Sequence, residues 1–99
     1  PQLAAELAGV AHGSTATVTL AFDRAAEPHA LDATGYVVPR VERRDVLACT
    51  FASSKWAGRA PADVALFRVF AGGVHRAELV ERDDAALVHQ LAQQPVQCA

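Results

Sequence analysis

The clearest pattern in the chain lies between Ser14 and Phe22, where "STATVTLAF" alternates Ala16, Val18, Leu20 and Phe22 with Thr15, Thr17 and Thr19. A period of two puts the apolar set on one face of an extended segment and the hydroxyls on the other, which predicts a half-buried strand. Shorter runs predict three more. "GYVVPR" is a brief strand bounded by Gly35 and Pro39, because proline has no amide hydrogen to give a ladder and belongs at a strand end or a sheet edge. Val46 to about Ala52 and Val64 to Ala71 supply the others; a turn over Glu42 to Asp45 precedes the first, and Gly72-Gly73 stops the second.

Helical signals stand at both ends. In "QLAAELAG", residues 2 to 9, Leu3 and Leu7 are four apart and Gly9 follows, which predicts a short helix with a glycine stop. Asp83-Asp84 predict a second start, one carboxylate capping the free amides and both lying near the positive end of the helix dipole. Leu87, Val88 and Leu91 would then share one side, and Pro95 forbids extension much past Gln94. "DRAAEPHALDAT", between the first two strands, contains Pro28 and no sustained period, and reads as loop. The order predicts an α+β fold, a mostly antiparallel sheet of about four strands with flanking helices packed on one face.

Length and composition narrow the picture. Ninety-nine residues make one small domain, 1–99, and 52% hydrophobic with 20% charged residues is a globular balance, although many of the apolar residues are alanines and the core is shallow. A net charge of -2 sets up no field to attract nucleic acid or anionic lipid. The apolar stretches fall far short of the roughly 18–20 residues of a spanning helix, and no secretory leader pattern opens the chain, so a cytoplasmic protein is expected. Cys49, inside a strand, and Cys98, beside the terminus, read as free thiols, the first a buried and inert one. His12, His29, His75 and His89 have no metal-ligand spacing and read as surface residues; no metal is expected.

No phosphate loop, no Gly-x-Gly-x-x-Gly and no nucleophile elbow is present. Two features remain. Ser53-Ser54 and Gly72-Gly73 fall at the ends of strands that could be neighbours, where small residues let a ligand approach or simply make turns. In "LACTFASSKWAGRAP", residues 47 to 61, an apolar strand dissolves into Ala-Ser-Ser before Lys55-Trp56, and Trp56 reads as packing at a strand end.

Taken in order, "GYVVPR", "LACTFASSKWAGRAP", "LFRVFAGG" and "ERDDAALVHQLAQ" resemble the middle of the oxygen-dependent protoporphyrinogen/coproporphyrinogen oxidases, FAD enzymes of the flavin amine oxidase superfamily. The resemblance runs from about Ser14 to Gln93. It implies that the sheet is part of a flavin amine oxidase substrate-binding domain and forms the floor of a porphyrinogen cavity, while a separate Rossmann-type domain holds FAD. By motif position it implies three pocket-facing residues, Val37, Thr50 and Phe70. Val37 and Phe70 match apolar or aromatic positions that sandwich a pyrrole ring, and Thr50 is polar where some relatives carry leucine.

A tetrapyrrole is a broad apolar disc edged with carboxylates, so its site should have an apolar floor and cations at the rim. Arg40, Lys55 and Arg59 are rim candidates, against the plainer reading of exposed turn charges. The FAD-contacting segments of that family have no counterpart in these residues. The resemblance therefore implies a substrate-binding piece of a larger enzyme, with no FAD on the piece itself and no activity alone. In the parent enzyme FAD would take six electrons from coproporphyrinogen or protoporphyrinogen, with oxygen as acceptor; that parent would be cytoplasmic or membrane-associated. Two alternatives stand beside this: another flavin amine oxidase-type oxidoreductase, and a standalone non-enzymatic binding or assembly module. A domain lacking its flavin partner would expose apolar surface and free strand edges, which predicts a homodimer through a sheet edge or apolar face.

Overall fold

The computed structural model describes residues 1–27 and 31–93; the features at Pro28, His29, Gln94, Pro95 and Cys98 lie outside the described residues. Strands β1 (Thr15–Asp23), β2 (Gly35–Val37), β3 (Val46–Phe51) and β4 (Val64–Gly72) form one antiparallel sheet in the order β1-β4-β3-β2. Helices α1 (Gln2–Ala8), α2 (Ala52–Lys55) and α3 (Asp84–Ala92) accompany it, with 3-10 turns at Arg24–Ala26, Arg40–Glu42 and Ala77–Glu81. This is the α+β arrangement that the alternation predicts.

The core lies on one face. Ala65, Phe67, Val69 and Ala71 of β4 are buried together with Val46, Cys49 and Phe51 of β3 and Leu20 of β1, and Leu79, Leu87 and Leu91 close over them from the helical side. Phe67 is the hub: its ring meets those of Phe22 and Phe51 edge-on, each with centroids 5.6 Å apart, the geometry favoured by the ring quadrupole. Val46 and Cys49 differ in parity, so a regular strand would put them on opposite faces. They share the core because Val46 pairs with Ala71 and Ala48 with Phe70, which leaves Leu47 as the extra residue of a β-bulge. The sequence pattern alone predicts a regular strand at this point.

The change of character after Phe51 has a structural cause. The β3–β4 ladder ends at the Phe51–Phe67 pair, and the chain coils into the single turn of α2 beside the start of β4. The Leu66 amide, past the end of that ladder, donates instead to the Ser53 hydroxyl at 3.1 Å. The Ser54 hydroxyl donates to the Leu31 carbonyl at 2.8 Å, tying down a buried residue with φ of 54°. Ser-Ser thus satisfies backbone groups that a longer strand would have paired. Because β3 and β4 run antiparallel, Ser53-Ser54 and Gly72-Gly73 sit at opposite ends of the sheet, and the shared small-residue surface expected from the sequence does not form.

The ends differ from expectation in detail. Leu3 and Leu7 of α1 are 68% and 59% exposed, and Gly9 has an ordinary φ of -79° rather than a left-handed one; a seven-residue helix with two leucines presents too narrow a stripe to dock. In α3 the Asp83 carboxylate accepts from the Ala86 amide at 3.3 Å, as the capping signal predicts. Leu87 and Leu91 are buried but Val88 is exposed, since a nine-residue helix meets the sheet along one line. Asp45 pairs with Arg76 at 2.7 Å and accepts from Gln90 of α3, so the entry to β3 is bonded to the helix above it.

Candidate functional site

The alternation that fills the core also decorates the opposite face. From β1 it carries Thr17, Thr19 and Ala21; from β4, Leu66, Arg68 and Phe70; from β3, Ala48 and Thr50; from β2, Gly35 and Val37. Pairing arranges them in rows across the strands. One row reads Val37, Ala48, Phe70, Thr17, and the next Gly35, Thr50, Arg68, Thr19. Thr17, Thr19, Ala21 and Val37 are exposed and the residues between them half-buried, so the described residues leave this face open.

Val37, Thr50 and Phe70 therefore lie on the same face, outside the core, with Val37 and Phe70 two strands apart in one row. At an interstrand spacing of about 4.8 Å their backbones are about 10 Å apart, with the small side chain of Ala48 as a shallow floor between them. Thr50 stands one row along, beside Arg68. Gly35 occupies the β2 position of that row for a steric reason: its φ is +149° and a Cβ there would come within 2.2 Å of the Cys49 carbonyl oxygen. Packing of β2 against β3 requires glycine, and its missing side chain keeps the row low beside Thr50.

The cations divide into two groups. Lys55 and Arg59 both lie over the ring of Trp56, each 4.7 Å from its centroid, in a cation–π cluster after α2. Trp56 is half out in solvent, a platform for these two side chains more than a packing element. Arg40 bonds to His75 in a groove of about 890 Å³ at the far end of the sheet, lined by Val38, Val41, Leu47 and Val74 together with Arg43, Arg44 and Arg76. Val37, Thr50 and Phe70 are not in its lining. Arg76 hydrogen-bonds Glu78 at 2.7 Å; this bond above all, with Asp45 close by, raises the guanidinium above its ordinary value and holds the Glu78 carboxyl below the usual carboxylate value.

Arg68 was not among the candidates read from the sequence, yet it is the cation in the middle of the open face, on the central strand between Leu66 and Phe70. The signal was present: in "LFRVFAGG" Arg68 is two residues before Phe70 and so in phase with it. Among the described residues no group of three or more His, Cys, Asp or Glu side chains comes together to hold a metal, and no helix is long and apolar enough to cross a membrane.

No protein-family model matches the chain. A coproporphyrinogen III oxidase from Staphylococcus aureus is 39% identical over 59 residues, which is 60% of this chain and 13% of that protein. A solved structure assigned as a protoporphyrinogen oxidase, from Exiguobacterium sp. 255-15, superposes with a TM-score of 0.79 at 33% identity, covering 94% of this chain and 20% of that one. The chain thus spans a small part of the length of either relative. Both likenesses fall on porphyrinogen oxidases, as the motifs indicate, and over the aligned residues this fold corresponds to one segment of such an enzyme.

Proposed function

We propose that the chain supplies the substrate-binding floor of an FAD-dependent porphyrinogen oxidase of haem biosynthesis, with the open face of the sheet turned toward the macrocycle. The observation that carries this reading is the placement of Val37, Thr50 and Phe70 on one face that the described residues leave open, two apolar side chains flanking a shallow step. A flat, mainly apolar disc would cover the Val37–Phe70 row and exclude water from it. Phe70 would meet a pyrrole through its ring and Val37 through its methyl groups, and Thr50 would offer a hydroxyl to a polar edge. Fixing the disc in one plane is the contribution of these residues, because transfer from a substrate carbon needs a defined approach.

In the complete enzyme, bound FAD would supply the hydride-accepting chemistry, with oxygen as the final electron acceptor. The described residues fit no part of a dinucleotide site, having no glycine-rich strand-to-helix turn to cradle a pyrophosphate. The flavin would therefore be held by other polypeptide, facing this sheet across the substrate. Among the described residues β1 and β2 are the edge strands of the sheet, and self-association through an edge or the open face is an expected consequence.

The test is an assay of the enzyme that carries this chain, following porphyrin fluorescence as coproporphyrinogen or protoporphyrinogen is oxidised. Production of porphyrin with uptake of oxygen supports the reading. An enzyme that oxidises amines and leaves both porphyrinogens untouched assigns the floor to another flavin amine oxidase substrate, and a protein with no flavin absorbance and no oxidation of any of them leaves a binding module.

A further inference from the structure

We infer that Arg68 receives a carboxylate of the substrate from the middle of the floor and so favours porphyrinogens with four acidic side chains over those with two; this rests on the reading of function above. Arg68 sits on the central strand, with Thr19 and Thr50 beside it in its row and Leu66 and Phe70 on either side along β4. Among the described residues it makes no ion pair, and the face around it carries hydroxyls and apolar groups, the nearest acid on that face being Asp23 at the far corner, where it caps the Arg24–Ala26 turn.

A guanidinium in this position is comfortable only while the face is wet. Once a macrocycle covers the row beside it, the charge loses water and must find an anion or pay a large desolvation cost. The neighbouring row lies about 7 Å along the strand from the next residue of like orientation, so a disc over Val37 and Phe70 brings its edge to Arg68. Carboxylate-bearing arms are what a porphyrinogen carries at that edge, and arginine donates two parallel hydrogen bonds to a carboxylate. Thr19 and Thr50 are placed to donate to the same group.

Coproporphyrinogen has propionates on all four rings, and protoporphyrinogen on two. With four, every in-plane orientation can offer Arg68 a partner; with two, some leave it facing a vinyl group. The discriminating experiment compares Arg68→Gln and Arg68→Lys in the enzyme that carries this chain, reading kcat and KM for both substrates. Arg68→Gln should raise KM for coproporphyrinogen about tenfold with kcat within about threefold, and raise KM for protoporphyrinogen only about half as much, since half of its in-plane orientations still bring a propionate to Arg68. Arg68→Lys should restore part of the loss, since charge survives but the bidentate geometry does not. Equal effects on both substrates, or none on either, overturn the inference. If Val37→Ala and Phe70→Ala impair porphyrinogen oxidation while Arg68→Gln does not, this inference falls alone; if the unaltered enzyme oxidises neither porphyrinogen, the reading of function falls with it.

Discussion

The two faces of β4 come from one nine-residue strand, "VALFRVFAG", and have different fates. Ala65, Phe67, Val69 and Ala71 disappear under the helical layer, while Leu66, Arg68 and Phe70 stay half-buried on a face that the described residues leave open. A sheet with water on one side has no need of Leu and Phe there, and hydroxyls such as those of Thr17 and Thr19 on β1 suffice. The apolar residues concentrate on the open face of β4 and β2, where Phe70 and Val37 stand. The contrast separates side chains that build the core from side chains that the core does not use.

Breaking the core face should have the largest effect on folding. Phe67→Ala removes a fully buried ring that packs against two others and should cost about 3–5 kcal/mol, whereas Phe70→Ala should cost about 1 kcal/mol; urea unfolding of both variants measures the difference. If the two were equally destabilising, the open face would be core by another name. At the strand end, Gly72 has φ of +100°, and a Cβ there would lie 2.7 Å from the Ser14 carbonyl oxygen and 2.8 Å from Val80. Gly72→Ala should therefore lower stability by about 1–3 kcal/mol, read by thermal unfolding.

Ser53→Ala should cost about 1 kcal/mol by orphaning the Leu66 amide, and faster hydrogen exchange at that amide would identify the cause. The smallest effect concerns Glu78. Its carboxyl is held below the ordinary carboxylate value by its hydrogen bond with Arg76, so the stabilisation it gives is present above that ordinary value and fades as pH falls through its folded-state pKa. The Tm of the unaltered chain should exceed that of Glu78→Gln slightly near neutral pH, and the gap should close in acid; a gap that widened in acid would reverse the assigned sign.

Much of this fold was legible in the sequence because it rests on period-two alternation, and β1 and β4 keep that period without interruption. What was hidden depends on pairing. The bulge at Leu47 shows only when β3 is laid beside β4, and the serine turn of α2 is explained only by the amide of Leu66 that it meets. The exposed side of α1 was illegible for the opposite reason, since its leucine spacing is that of a packed helix and only the fold reveals that nothing covers it. Motif order singles out Val37, Thr50 and Phe70, which pairing puts on one face; Arg68 shares that face because it is in phase with Phe70 along β4, a relation that loop charges do not reveal.

If the open face is a substrate floor, the affinity of the enzyme carrying this chain for coproporphyrin III, titrated by fluorescence, depends on the side chains of that face. Val37→Ala and Phe70→Ala are compared with Val88→Ala, which removes an exposed valine from α3. A substrate floor there predicts about a tenfold rise in Kd for each of the first two and no change for the third. Equal affinity in all three variants, with each still folded, would contradict it.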